Sequence, residues 1–209
     1  MVYWTLGVVA SVVGLWAGYT QFYEGNLGQP DYSVIERQDD IEFRRYTPFI
    51  VASTQLGKTG DQGLSSGFRV LAGYIFGGNQ PGEKIAMTAP VLQQNTEGES
   101  LPMTAPVLVS GEGMRMAFVM PEGRSIDDLP RPNSEKVSLT TIDWGEVAAL
   151  RFTGRGKQTR FQSAEVKLRE RLKALDRTPS GPALYAQYNS PSAFPPLRRN
   201  EVLIPLASK

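Results

Sequence analysis

The chain has 209 residues, 22 of them basic and 21 acidic, for a net charge of +1, and it contains neither cysteine nor histidine. That balance gives no electrostatic case for nucleic acid, which needs a concentrated basic face. Without Cys or His there are no disulfides, thiolate metal sites, Ser-His-Asp triads or imidazole bases, so catalysis would rest on carboxylates, Tyr, Lys or Ser.

Every charged side chain lies at or after Glu24. Residues 2–23 are uncharged and mostly apolar, and as a helix they would extend about 33 Å, enough for a hydrocarbon core of about 30 Å. Tyr3 and Trp4 at one end, and Tyr19, Phe22 and Tyr23 at the other, have the placing of interfacial aromatics. A cleaved signal peptide would need a basic start and a small-x-small site, and neither is present. A buried core helix would be shorter. The reading favoured is a single N-terminal membrane anchor over 1–23, followed by a polar linker over 24–30 and a globular domain over 31–209. The first charges after the span, Glu24 and Asp31, are acidic, which favours an exported domain. Gly14 and Gly18 form a GxxxG that would permit weak helix pairing.

The chain as a whole has the 41% apolar content of an ordinary globular protein. Residues 32–37 and 41–46 alternate apolar and polar around a turn at 38–40, and 49–54 continue as a third strand. Over 64–76, Leu64, Phe68, Leu71, Ala72 and Ile75 recur at helical steps, and Gly77 and Gly78 end the helix. Residues 84–92 and 114–120 read as two strands. A second block follows in the same order. Strands over 137–142 and 146–152 precede a helix carrying Phe161, Leu168, Leu172 and Leu175 on one face. Thr159 and Gln162 have capping-box spacing, and Glu165 and Arg169 form an i,i+4 pair. Strands over 183–188 and 201–206 close the block. The expected fold is α+β, a duplicated βαββ unit forming a distorted antiparallel β-barrel or sheet with two packed helices and one shared core.

The hexamer MTAPVL occurs at 87–92 and again at 103–108, sixteen positions later. Both copies fall inside the first block, so the duplicated architecture does not account for them. The second copy reads as a local tandem duplication enlarging a hairpin, with 95–100 as its turn and 84–91 as the native strand. Deleting 93–108 is expected to leave the fold intact.

The stretches KIAMTAPV at 84–91, AFVMP at 117–121 and RRNEV at 198–202, with YSVIER and FRRYTPFIVA before them, resemble the SOUL haem-binding protein family. The resemblance covers 31–206. It implies haem or tetrapyrrole binding in an apolar groove walled by the first helix of the domain and the loop before the last strand. Carried onto this chain, the binding residues are Phe68, Arg69, Leu71, Ala72, Ile75 and Phe76, with Tyr188 and Phe194 from the loop over 187–196. Arg69 would meet a propionate. With no His or Cys, an axial bond to iron would need Tyr, Met or Lys, and no protein metal site is expected. The residues themselves leave two other readings open. One is a hydrolase using Glu42, Glu83 or Glu201; the other is a sensor or carrier of bulky amphipathic molecules. The adjacent arginines Arg198 and Arg199 point to opposite faces of one strand, and one is expected to pair with a buried carboxylate and fix the last strand's register.

Overall fold

The structure is a computed structural model that describes residues 2–22, 27–57, 60–94, 114–190 and 192–207. Its helices are α1 (Val2–Phe22), α2 (Gly60–Ile75) and α3 (Gln158–Ala174). Its strands are β1 (Tyr32–Gln38), β2 (Ile41–Tyr46), β3 (Phe49–Gln55), β4 (Asn79–Gln80), β5 (Val91–Gln94), β6 (Arg115–Val119), β7 (Arg131–Pro132), β8 (Ser138–Ile142), β9 (Glu146–Thr153), β10 (Leu184–Gln187) and β11 (Arg199–Pro205).

Nine strands form one curled antiparallel sheet in the order β1-β2-β9-β11-β10-β5-β6-β3-β8, and β4 pairs with β7 alone. The order carries the expected duplication. One unit is β3-α2-β5-β6 and the other β9-α3-β10-β11, and they meet where Val91 of β5 lies opposite Gln187 of β10. The strand before each unit pairs across to the other: β2 with β9 and β8 with β3. This exchange closes the sheet towards a half-barrel.

Period-two alternation gives the sheet two buried faces. Val147, Ala149, Leu203, Val51, Ala117 and Leu92 point to an inner core that both units share. Ala148, Leu150, Val202 and Ile204 point outward to α3, where Phe161, Leu168 and Leu172 cover them. Ile50, Ala52, Met116 and Phe118 point outward to α2, where Leu71, Tyr74 and Ile75 cover them. Helix α2 approaches closely because Gly67 has no side chain; a Cβ there would stand 2.2 Å from Leu56 Cδ2. The helix ends as expected: Gly77 takes φ +109°, and Gly78 N–H donates to Gly73 O at 2.8 Å, the 6→1 bond of a Schellman motif.

Three expectations are corrected. Helix α3 starts at Gln158 with Lys157 as its cap and no side-chain capping bond. Stacking of Phe161 on Tyr185 at 4.7 Å fixes the helix phase and places Thr159 inside the first turn. The strand expected over 84–91 forms only from Val91, since Pro81 and Pro90 remove ladder donors from the approach. The third concerns the N-terminus. Helix α1 forms, but among the described residues no helix is long and apolar enough to cross a membrane, and a spanning anchor is not supported. The last turns of α1 are engaged by the domain instead: Trp16 Nε1 donates to Ser192 O at 2.7 Å, and Phe194 N donates to Thr20 Oγ1 at 2.8 Å. Pairing between copies through Gly14 and Gly18 is likewise without support.

The second hexamer lies outside the described residues. The first enters β5, and Gln93 is buried in the ladder opposite Met116 and Tyr185, so a deletion starting at 93 would cut the sheet. Gln94 and Arg115 are direct partners, so the ends of the connection are already adjacent. Removing residues 97–112 instead is predicted to shift the midpoint of thermal unfolding, followed by circular dichroism, by less than about 4 °C. Loss of the cooperative transition would show that the second hexamer has become structural.

Candidate functional site

Helix α2 offers two faces. Leu71 and Ile75 are fully buried against the sheet, so they pack the core and present nothing to a ligand. Phe68, Ala72 and Phe76 form the neighbouring stripe, at steps of four. Phe68 is 37% exposed and Phe76 61%, while Ala72 between them is half-buried. Phe68 is held edge-on against Phe118 with ring centroids 5.3 Å apart. Phe76 continues the helical bonding, its N–H donating to Ala72 O at 3.0 Å. The stripe is a shallow saddle: two exposed aromatic rings about 12 Å apart along the axis, with a methyl group between them. Arg69 is exposed one position from Phe68.

The loop residues are elsewhere. Tyr188 is buried in the inner core, on the opposite face of the sheet from α2. Phe194 is half-buried under α1, its ring 5.1 Å from that of Trp16. The structure therefore brings Phe68, Arg69, Ala72 and Phe76 together and leaves Leu71, Ile75, Tyr188 and Phe194 out of that surface.

A second concentration of chemistry lies on the inner face. Glu201 has no exposed surface. Arg44 Nη1 donates to its Oε2 at 2.7 Å and Arg44 Nη2 to its Oε1 at 3.0 Å. Arg199 Nε donates to Oε1 at 2.9 Å and Tyr188 Oη to Oε2 at 2.7 Å. Arg44 also donates to Glu42 at 2.8 Å and Tyr46 Oη at 3.1 Å. The guanidinium of Arg44 lies 4.4 Å from the centre of the Tyr32 ring, and that of Arg199 4.0 Å from Tyr188. Burial pushes the Glu201 carboxyl up, but the hydrogen bonds and charges of Arg44 and Arg199 outweigh it and hold the group below its ordinary range. Burial likewise pushes Tyr46 up to about 12 and Tyr188 well above its usual value. Among the described residues no buried side-chain nitrogen or oxygen lacks a partner. This cluster is a self-satisfied charge lock, and the expected pairing of an arginine in the last strand is met by Arg199.

The other carboxylates are engaged as well: Glu42 by Arg37 and Arg44, and Glu83 by Arg124 at 2.6 Å. Of the methionines, Met116 and Met120 are buried, whereas Met87 is 37% exposed. Sequence reading had singled out Glu201 but missed Arg44 and Tyr46. The signal was there in strand parity, because Glu42, Arg44 and Tyr46 share one face of β2 and Glu201 shares its face with Leu203.

The profile of the SOUL heme-binding protein matches residues 27–205. The chain belongs to the SOUL haem-binding protein family. No curated protein matches it by sequence. Solved structures share the SOUL domain's fold at low identity. An uncharacterized conserved protein from Listeria innocua is 11% identical, covering 81% of this chain and 93% of that one, with a TM-score of 0.55. A hydrolase from Listeria innocua is 8% identical, covering 83% and 94%, at 0.51. The EcmrR C-terminal domain is 11% identical, covering 85% and 99%, at 0.57.

Two predictions separate core, lock and surface. Leu71→Ala is expected to cost about 2–5 kcal/mol of unfolding free energy and Phe68→Ala less, measured by urea denaturation. Glu201→Gln, which leaves two arginines sharing a neutral partner, is expected to cost about 3–5 kcal/mol at pH 7. The Glu201 pKa is lowered on folding from an ordinary 4.5, so its contribution is present above that pH and lost as pH falls through the folded-state value. The Gln variant should therefore lose less stability than wild type on acidification below pH 4.5. Equal stability of the two proteins at neutral pH would contradict the lock.

Proposed function

We propose that this SOUL-family chain binds haem or a related tetrapyrrole without catalysis, on the exposed face of α2. Family membership supplies the ligand class. The observation that carries the placement is the saddle of Phe68, Ala72 and Phe76, two exposed rings flanking a small residue beside an exposed Arg69. A flat macrocycle covers such a stripe by apolar contact, and Arg69 offers a propionate a bidentate partner. With no His or Cys in the chain, the binding energy in this reading comes from the ring face.

The hydrolase reading has less support. The related fold from Listeria innocua is described as a hydrolase, but at 8% identity it speaks to fold alone. A general acid or base needs a carboxyl poised near the working pH; Glu201 is held ionised by two arginines, and Glu42 and Glu83 are ion-paired. Transport or sensing of another bulky amphipathic molecule differs from haem binding only in the ligand, and the absorbance spectrum separates them. An exported location of the domain, suggested by the acidic residues Glu24 and Asp31 after the N-terminal helix, is proposed on sequence grounds alone.

Titration of haemin is expected to give a saturating Soret shift at one equivalent. The double variant Phe68→Ser, Phe76→Ser is expected to weaken it at least about tenfold, the worth of burying part of two aromatic rings. Absence of a Soret shift in the wild-type protein would overturn the proposal.

A further inference from the structure

Residues 27–31 have the composition of a linker, yet they lie across the inner face. Leu27 packs against the inner core, and Pro30 is buried. Gln29 Oε1 accepts a hydrogen bond from Arg199 Nη1 at 3.1 Å. The backbone is fastened at its two ends: Gly28 O accepts from Ala89 N–H at 2.9 Å and Asp31 O from Thr47 N–H at 3.0 Å. This strap presents to the domain an apolar group and, two positions on, a hydrogen-bond acceptor. Beneath it Arg199 has both Nε and Nη2 on Glu201, so Nη1 is the edge it turns to the strap. Arg44 takes Glu42 as well as Glu201, whereas Arg199 has Glu201 as its carboxylate partner and otherwise meets the neutral groups of Gln29 and Tyr32. In the Gln29 bond only the donor is charged; a carboxylate there would place charge on both partners.

We propose that the strap is a tethered occupant of a ligand site, and that a small carboxylate with an apolar or aromatic tail displaces it. The carboxylate takes the place of Gln29 on Arg199. The tail takes the place of Leu27 against the inner core, beside Tyr32 and Trp144, which pack on the same cluster. The site lies on the opposite face of the sheet from α2 and is independent of the tetrapyrrole reading.

The probe is 4-phenylbutyrate, titrated calorimetrically into the full chain, with 4-phenylbutanol as the analogue lacking the charge. Gln29→Ala, which frees Arg199 Nη1, is expected to bind 4-phenylbutyrate about tenfold more tightly than wild type, the worth of one hydrogen bond to a charged group. Gln29→Glu, which ties the strap down by a charged pair, is expected to bind it more weakly than wild type. The alcohol is expected to bind none of the three detectably. Both substitutions leave Glu201 and its two arginines in place. Equal affinity in all three proteins, no heat in the Gln29→Ala protein, or equal binding of acid and alcohol would each overturn the proposal. Haemin affinity should not follow residue 29, so either reading can fail while the other stands.

Discussion

A carboxylate with no exposed surface sits between two guanidinium groups on the inner face of the sheet, and the closure of the half-barrel depends on that neutralisation. Glu201 comes from β11 and Arg44 from β2, with β9 between them. A lone carboxylate in such a place would be costly, and a lone arginine equally so. Each is tolerated because the other is there, with Arg199 and two tyrosine hydroxyls completing the shell. The lock therefore joins the opening hairpin to the last strand across an intervening one. It also consumes the chemistry of the groups it contains: an ionised, fully hydrogen-bonded Glu201 has neither a proton to give nor a free lone pair to work with.

The internal duplication makes the two halves alike in topology, and their difference is therefore informative. Helix α3 covers its half with Phe161, Leu168 and Leu172 and shows solvent a charged face that includes the Glu165–Arg169 pair. Helix α2 covers the other half with Leu71, Tyr74 and Ile75, but its flanking stripe ends in two exposed rings, Phe68 and Phe76. Exposed aromatics cost solvation and are the part of the pair that folding alone does not explain. The asymmetry, together with family membership, is what supports the proposal of a flat apolar ligand on α2.

Much of this was legible in the chain. Alternation revealed the strands, and the repeated order of elements revealed the two units. Gly77 and Gly78 marked the end of α2, and an arginine near the C-terminus was matched to a buried carboxylate. Other features were not legible, for physical reasons. Leu71, Ala72 and Ile75 lie within one helical turn of each other, and periodicity does not say which edge of a wide apolar stripe meets solvent. Tyr188 and Phe194 are close in sequence but have different surroundings, because β10 has ended between them and Phe194 packs against Trp16 of α1 while Tyr188 lies in the inner core. Leu27 and Gln29 sit among glycine, asparagine and proline with no period to betray that they are packed. The N-terminal helix formed where its lack of charge suggested, but its docking through Trp16 and Thr20 depends on a loop more than 170 residues away.

Amide hydrogen exchange of the protein with and without haemin addresses the central claim most directly, because it reports where the ligand sits without altering any residue. Added protection is predicted over Gly60–Ile75 and Phe76, with β10 and β11 unchanged. Protection that appeared around Tyr188 and Glu201 instead, with α2 unaffected, would contradict the placement of the ligand on the outer aromatic stripe.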